Sequence, residues 1–342
     1  MSADAKPILS VVIPTLGRPI LVQTLESLTR ARGFSDIEVV VAGAIPDATV
    51  LGRLNELIAK HPQIRHLSVS FTTGDSSRKK NAGFEASRAD IVAFLDDDVV
   101  VRAEWPEMIR EPFADASVAM VSGPSMVPPD VSLVARLAGV ALASKAAGYV
   151  SERYLKGKPV PRPAAWSRLI GCNMAFRRNV LADLGGFPAD FWPAEEMITS
   201  FRATQKGYKL IFHPDAYVYH YPRHSIRGFW KQMHGYGATR IRLIRAGTEM
   251  EPTTLVPGIW VLSLLVLGVA AIFNAWALWL LAADLALYAL ADAWITWSKF
   301  VETRRAVDLL IFFVIPVMHL SYGIAEWTEL LRPNKDLSEK HA

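Results

Sequence analysis

Ile91-Val92-Ala93-Phe94-Leu95-Asp96-Asp97-Asp98 is the stretch on which the reading of this chain turns. Five apolar residues suit a buried strand, and three carboxylates follow where that strand should leave its sheet. Magnesium and manganese take oxygen ligands, usually one or two carboxylates plus substrate phosphates. Asp96 and Asp98, spaced by one residue, can therefore share a nucleotide-bound divalent cation, Mg2+ or Mn2+. Acidic residues after a strand also form turns and cap helices, so three aspartates alone leave both readings open.

Upstream, the pattern alternates. Residues 9–13 read as an apolar strand, 20–32 as a helix, 37–42 as a strand, 50–61 as a helix, 64–71 as a strand and 77–87 as a helix, ahead of the strand at 91–95. Such alternation predicts an α/β fold: a Rossmann-like, mostly parallel sheet covered on both faces, with ligands beyond the carboxyl ends of its strands. The aspartates lie at one such end.

The 342 residues carry a net charge of +4 and a single cysteine, Cys172. That length accommodates a catalytic domain and something more, and one cysteine excludes an intramolecular disulfide, as suits a reducing compartment. Residues 1–6 lack the basic-then-apolar order of a secretory signal, so the amino-terminal domain is expected in the cytoplasm. Residues 259–283 contain no charge, and such a run is long enough to cross about 30 Å of hydrocarbon. Three spans are expected, at 255–273, 275–297 and 307–327, with Asn274 at a tight turn. Lys299, Arg304 and Arg305 place the loop after the second span on the cytoplasmic side of an inner (cytoplasmic) membrane. The carboxyl terminus would then lie outside; Lys335 and Lys340 argue against this, and a third segment that re-enters or lies in the interface is the alternative. Asp284, Asp292, Asp308, His319 and Glu326 are costly in lipid and read as groups that hydrogen-bond between helices. Residues 131–150 are apolar but interrupted by Arg136 and Lys145, too polar to span and better read as an amphipathic surface or membrane-facing helix.

Between the two regions, residues 222–248 hold no acid. Arg223, His224, Arg227, Lys231, His234, Arg240, Arg242 and Arg245 interleave with Trp230 and Tyr236 there. Such a stretch would dock on an anionic leaflet with Phe229 and Trp230 at headgroup depth. Its position just before the spans favours lipid, and no nucleic-acid partner is expected.

A series of short motifs adds to this. Val11-Val12-Ile13-Pro14-Thr15 precedes Leu25-Glu26-Ser27-Leu28, Lys80-Asn81-Ala82-Gly83 and the aspartates. Gly171-Cys172-Asn173-Met174-Ala175-Phe176-Arg177-Arg178, Gly185-Gly186-Phe187, Glu195-Glu196 and Lys206-Gly207-Tyr208 follow, and the series runs through Pro214-Asp215-Ala216 to His220. In order and spacing over about residues 8–240 this resembles family 2 glycosyltransferases of the GT-A fold. The tail, with His319-Leu320-Ser321-Tyr322-Gly323, is similar to membrane-anchored members that build exopolysaccharide or other surface glycans, the succinoglycan glucosyltransferases included.

The resemblance implies an inverting transfer from a nucleotide-diphosphate sugar. It places Pro14, Thr15, Lys80, Asn81, Asp96 and Asp97 around the nucleotide and Asp96 and Asp98 on a metal. His220 becomes a further metal or diphosphate ligand, with an ordinary strand-end histidine as the alternative. Glu196, eleven residues before Gly207, falls where the family has its catalytic base, usually the aspartate of a Glu-Asp pair. The extra methylene leaves open whether Glu195 or Glu196 takes the acceptor's proton. A solvated acidic first turn of a helix is the plainer alternative for the pair. A second departure follows the strand at 37–41. The family's Asp-Asp-Gly-Ser turn is replaced by Ala42-Gly43-Ala44-Ile45-Pro46, with Asp47 the nearest acid, so the donor base is not specified.

The expected protein is a GT-A domain at 1–222, a basic-aromatic interfacial segment at 223–250, about three membrane helices at 251–330 and a polar tail at 331–342. It would transfer sugar to a lipid-linked, membrane-held acceptor, a polyprenyl-diphosphate-linked glycan. Direct transfer to polyprenyl phosphate, or a non-catalytic GT-A scaffold, are the alternatives. Three spans are too few for a polysaccharide channel. Gln232-Met233-His234-Gly235-Tyr236 stands where a processive synthase would carry Gln-x-x-Arg-Trp.

Overall fold

The computed structural model describes residues 6–71, 75–189, 191 and 193–332. Residues 1–5 and most of the expected tail, with Lys335 and Lys340, lie outside them. Two compact units are formed, Met1–Pro128 with Glu152–Tyr221, and Pro129–Ser151 with Pro222–Ala342. Residues 129–151, which the sequence assigned to the 1–222 domain, thus go with the second unit.

In the first unit the main-sheet strands are Leu9–Pro14 (β1), Ile37–Ala42 (β2), Ile64–Leu67 (β3) and Ile91–Leu95 (β4); the short Val99–Val101 (β5) follows β4. Val118–Ser122 (β6), Ser125–Met126 (β7), Arg162–Pro163 (β8), Asn173–Arg177 (β9), Lys209–Phe212 (β10) and Val218–His220 (β11) complete the set. The main sheet runs β3-β2-β1-β4-β9-β6-β10-β8, and β5-β11-β7 form a small second sheet. From β3 to β4 every pairing is parallel, as the crossover helices Ile20–Thr29 (α1), Ala48–Lys60 (α2) and Asp75–Ala86 (α3) require. All six residues of β2 are buried, which suits its apolar Ile37 and Val39–Ala42; the one acid, Glu38, is held by Arg65 at 2.7 Å and Arg88 at 3.0 Å. Trp105–Arg110 (α4), Arg178–Asp183 (α6) and Glu195–Gln205 (α7) cover the remainder.

Two expected elements are shorter in the structure. α1 ends at Thr29 and not at 32, and β3 stops at Leu67 and not at 71. β3 is an edge strand whose only partner among the described residues is β2, and their register closes with Ala42 opposite Leu67. The last backbone bond between them runs from Gly43 N to the Leu67 carbonyl at 3.0 Å, and Gly43 then takes the chain away with φ +152°. β9 was not foreseen; it lies antiparallel between β4 and β6.

The second unit contains Leu133–Leu142 (α5), Ile226–Arg245 (α8), Val256–Phe273 (α9), Ala275–Thr303 (α10) and Ile315–Leu330 (α11). Three stretches, Pro252–Phe273, Ala275–Thr303 and Ala306–Leu330, are long and apolar enough to cross a membrane. Asn274 ends one helix and caps the next, accepting from Trp276 N at 2.9 Å. In the first two stretches only 6% of the apolar window is buried, against 39% in the third. The difference comes from α8. Ser321 Oγ donates to the Trp230 carbonyl at 2.7 Å, and a Cβ on Gly237 would stand 2.2 Å from the Tyr322 carbonyl oxygen, so α8 and α11 approach backbone to backbone.

α5 and the 3-10 segment beginning at Lys145 are bent by 98°, and together they pass as a broken span or re-entrant loop. Arg136 argues against membrane entry by its charge, but its Nε and Nη2 donate to the two oxygens of Asp308, at 2.9 and 3.0 Å. Asp284 accepts from Ser263 at 3.3 Å, and His319 bridges Tyr288 (2.9 Å) and the Ala146 carbonyl (2.8 Å), in keeping with interhelical roles. The basic stretch needs correction. Phe229 is fully buried, Arg240 lies 5.1 Å from the Tyr149 ring, and Arg242 pairs with Glu329 at 3.5 Å. Arg223, His224, Arg227 and Lys231 are the basic residues there that stay exposed.

The turn after β2 supplies a test. Gly43 has φ +152°, and a Cβ there would sit 2.2 Å from the Thr15 carbonyl oxygen, which is backbone and unable to yield. Gly43→Ala should destabilise the first unit by about 1–3 kcal/mol, the cost of a forced backbone outlier. A lowered denaturant midpoint with unchanged slope checks it.

Candidate active site

β1 and β4 lie side by side with Val12 opposite Phe94, so their carboxyl ends deliver Pro14-Thr15 and the aspartates to one edge. The three aspartates then part company. Asp97 turns back into the protein, where it accepts from Thr15 Oγ1 at 2.6 Å and Leu16 N at 3.3 Å and pairs with Arg18. Its carbonyl accepts from Thr24 Oγ1 at 2.9 Å, and Lys79 Nζ donates to the Thr15 carbonyl at 2.8 Å. Asp97 and Thr15 thus fasten the β1–α1 loop. Arg18, which the sequence did not single out, also lies 3.0 Å from Asp98.

Asp98 has one oxygen on Arg18 and the other on His220, and Asp96 joins it on the His220 side. β11 runs antiparallel to β5 with His220 opposite Val99, the residue after Asp98, and this register brings the imidazole to the carboxylates. Donor atoms of Asp96, Asp98 and His220 all lie within 4.8 Å of one another. His220 Nε2 is 3.1 Å from Asp98, and its Nδ1 is 3.3 Å from Ser125 Oγ. Burial disfavours charge on His220, but Cys172 and Asp98 outweigh it and hold the imidazole well above its usual range. Burial raises the Asp96 carboxyl; Lys80 opposes this and Asp98 adds to it. Two carboxylates and one imidazole can hold a metal ion and suit Mg2+ or Mn2+ by donor type.

A second cluster is built around Lys80. Its Nζ lies 2.8 Å from Glu195 Oε1, and both residues are almost wholly buried. Ser76 Oγ gives Glu195 a further bond at 3.0 Å, and the Phe187 ring covers Lys80 at 5.5 Å. Burial would raise Glu195, but the Lys80 ammonium holds it below the usual carboxylate range. Glu196 goes the opposite way, raised by burial and then by the charge of Glu195. The two occupy the first turn of α7, yet they are not the solvated acids of an ordinary helix start. Ala194 before them takes φ 92°, a left-handed conformation unusual for alanine, and this aims the turn. Gly171 leaves room for Glu196, since a Cβ there would meet the Glu196 carboxyl carbon at 2.9 Å. The next carbonyl, that of Cys172, accepts from Asp96 N at 3.3 Å, so one dipeptide links the two clusters.

Asn81 is committed elsewhere. Its amide donates to the Phe187 carbonyl at 2.8 Å and accepts from Phe187 N at 2.9 Å, clamping the turn at Gly185-Gly186. On the side of β2, Asp47 accepts from Thr49 N and Val50 N as the cap of α2, so the acid nearest the missing Asp-Asp-Gly-Ser turn is already employed.

A family profile described as Glycosyl transferase family 21 matches residues 1–323. A pre-mycofactocin glycosyltransferase of Mycobacterium tuberculosis (strain CDC 1551 / Oshkosh) is 27% identical over 250 residues, 73% of this chain and 50% of that protein. An O-antigen chain rhamnosyltransferase of Salmonella anatum is 30% identical over 153 residues, 44% of this chain and 46% of that one. The chain spans about half the length of the curated relatives it matches. Among solved structures it is similar to a mannosyltransferase from Pyrobaculum calidifontis in complex with GDP-Man and Mn2+. The TM-score there is 0.58 at 21% identity, over 96% of this chain and 88% of that one. At that identity the likeness is one of fold. The glycosyltransferase resemblance drawn from the motifs stands, and its GT-A sheet is the one found; none of these relatives speaks to the succinoglycan subgroup. By the profile match, the chain belongs to glycosyl transferase family 21.

Proposed function

We propose that this protein transfers a sugar, with inversion, from a nucleotide-diphosphate sugar to an acceptor held at a membrane. The observation that carries the assignment is the buried cluster at the start of α7, where Glu195 Oε1 lies 2.8 Å from the Lys80 ammonium and Glu196 sits beside it against Gly171, so that Lys80 lowers Glu195 while burial raises Glu196. Neighbouring titratable groups pushed apart mark separate acid–base roles. Glu195 is spent on Lys80, which leaves Glu196 as the base. Its carboxylate takes the acceptor hydroxyl's proton as that oxygen bonds to the anomeric carbon and the bond to the diphosphate breaks. Asp96, Asp98 and His220 would hold Mg2+ or Mn2+, which when bound offsets charge on the departing diphosphate. Thr15 and Asp97 shape the donor loop. The Pyrobaculum protein's GDP-Man and Mn2+ support this choice of donor class and cation.

The O-antigen relative and the three apolar stretches support a lipid-linked acceptor, a polyprenyl-diphosphate-linked glycan, at the cytoplasmic membrane with the first unit in the cytoplasm. The exposed Arg223, His224, Arg227 and Lys231 suit an anionic leaflet there.

Substitution, pH and metal removal test the reading. Glu196→Gln should lower the catalytic rate about a hundredfold or more with donor binding nearly intact. In the wild type the acid limb of the pH–rate profile should lie above the ordinary glutamate value of about 4.3, because the base works only when deprotonated and its pKa is raised. Glu195→Gln removes the like charge and frees Lys80 to favour the Glu196 anion, so the limb should move to lower pH while activity survives. Inactivity of Glu195→Gln alone, with Glu196→Gln normal, would exchange the two roles. EDTA, or Asp98→Asn in the presence of Mn2+, should abolish turnover, and undiminished activity in EDTA would remove the cation from the assignment. Finally, Lys80→Met strands the Glu195 carboxylate in the interior and should cost about 3–5 kcal/mol of stability, read from denaturant melts.

A further inference from the structure

The second unit contains a cavity of about 490 Å3, within the span of small-molecule sites, about 300–1,000 Å3. Its walls come from the bent segment after α5 and from α8, α9, α10 and α11. Most of the lining is apolar or aromatic, but a stripe on α10 is not. Asp284, Tyr288 and Asp292 recur every four residues and therefore share one helix face, each about 6 Å from the next. Trp260 of α9 stacks on Tyr288 with ring centroids 3.7 Å apart and planes 8° from parallel.

The polar groups of this wall are unequally satisfied. Ser263 donates to Asp284, and His319 is taken up between Tyr288 and the Ala146 carbonyl. Asp292 is only 2% exposed, and one of its oxygens accepts from Thr296 at 3.3 Å. Its other oxygen has no partner among the described residues, and neither has the indole N–H of Trp260. A buried carboxylate oxygen without a donor is expensive, and so is a buried donor without an acceptor. The charges are unequal too. Two carboxylates, Asp284 and Asp292, line the space against one ammonium, that of Lys145, which sits 4.5 Å from the Trp294 ring.

We infer that this cavity binds the headgroup of a zwitterionic membrane lipid, its ammonium on Asp292 against the Tyr288–Trp260 stack and its phosphate toward Lys145 and the Trp260 N–H. The ammonium supplies the donor Asp292 lacks, and aromatic rings favour a cation beside them. The phosphate gives Trp260 an acceptor and answers Lys145. A purely anionic headgroup would meet two carboxylates with one cation to offset them, and a neutral glyceride would leave Asp292 unneutralised. Nothing in this assignment depends on sugar transfer, and its readout is lipid retention.

The test uses the full chain extracted in mild detergent and offered equal amounts of phosphatidylethanolamine, phosphatidylglycerol and diacylglycerol with matched acyl chains. Native mass spectrometry counts what is retained. Phosphatidylethanolamine should be kept about tenfold or more over phosphatidylglycerol, the scale of one charge-assisted hydrogen bond. Asp292→Asn should erase that preference, and Trp260→Phe, which keeps the stack but removes the N–H, should weaken retention of phosphatidylethanolamine. Equal retention of the three lipids by the wild type overturns the inference, as does a folded Asp292→Asn that keeps the preference. Should Asp292→Asn fail to fold, wild-type selectivity and the Trp260→Phe result decide. Retention of free phosphoethanolamine as strong as that of the lipid would overturn a membrane source for the headgroup.

Discussion

An ammonium buried among carboxylates organises the first unit. Lys80 is sealed beneath Phe187, bonded to Glu195 and close enough to Asp96 and Glu196 to feel both. Removed from water, such a cation is tolerable only where anions surround it, so the four side chains stand or fall together. Their backbones come from α3, the end of β4 and the start of α7. What looks in sequence like three separate motifs is one electrostatic unit, and the opposed ionisation of Glu195 and Glu196 follows from which of them reaches Lys80.

Much of this was legible in the chain. The βαβ alternation through 9–95 marked the four strands β1 to β4 as parallel because hydrophobic period and crossover rules both act locally, whereas their order in the sheet came only with the structure. Asp96, Asp98 and His220 do meet, as the resemblance implied. What could not be read was direction. Asp97 turns to Thr15 and Arg18 while its neighbours Asp96 and Asp98 meet His220, and no spacing rule distinguishes it. Three adjacent carboxylates do call for a counter-charge, which could have pointed to Arg18, the first cation after β1. Asn81 reads as a nucleotide contact by motif, yet its amide is matched to the Phe187 main chain 106 residues away.

In the second unit, hydropathy located the three apolar stretches but not what they enclose. Phe229 looks like an interfacial anchor because aromatic and basic residues alternate around it, but the close approach of α8 to α11 at Gly237 draws it inside. Arg136 looks too polar for a membrane segment until Asp308, 172 residues on, is seen to neutralise it. Pairings of that span carry no local signature.

The left-handed Ala194 sets two demands against each other. Holding alanine at φ 92° costs about 1–3 kcal/mol, much of which glycine would recover at the loss of one buried methyl group. Glycine would also loosen the first turn of α7, and with it the aim of two adjacent carboxylates that differ by one residue in position and by opposite displacements in acidity. A search for more heat-resistant variants would therefore favour glycine at this position. A search for faster ones would keep the alanine, because here durability and precision of aim draw on the same backbone angle.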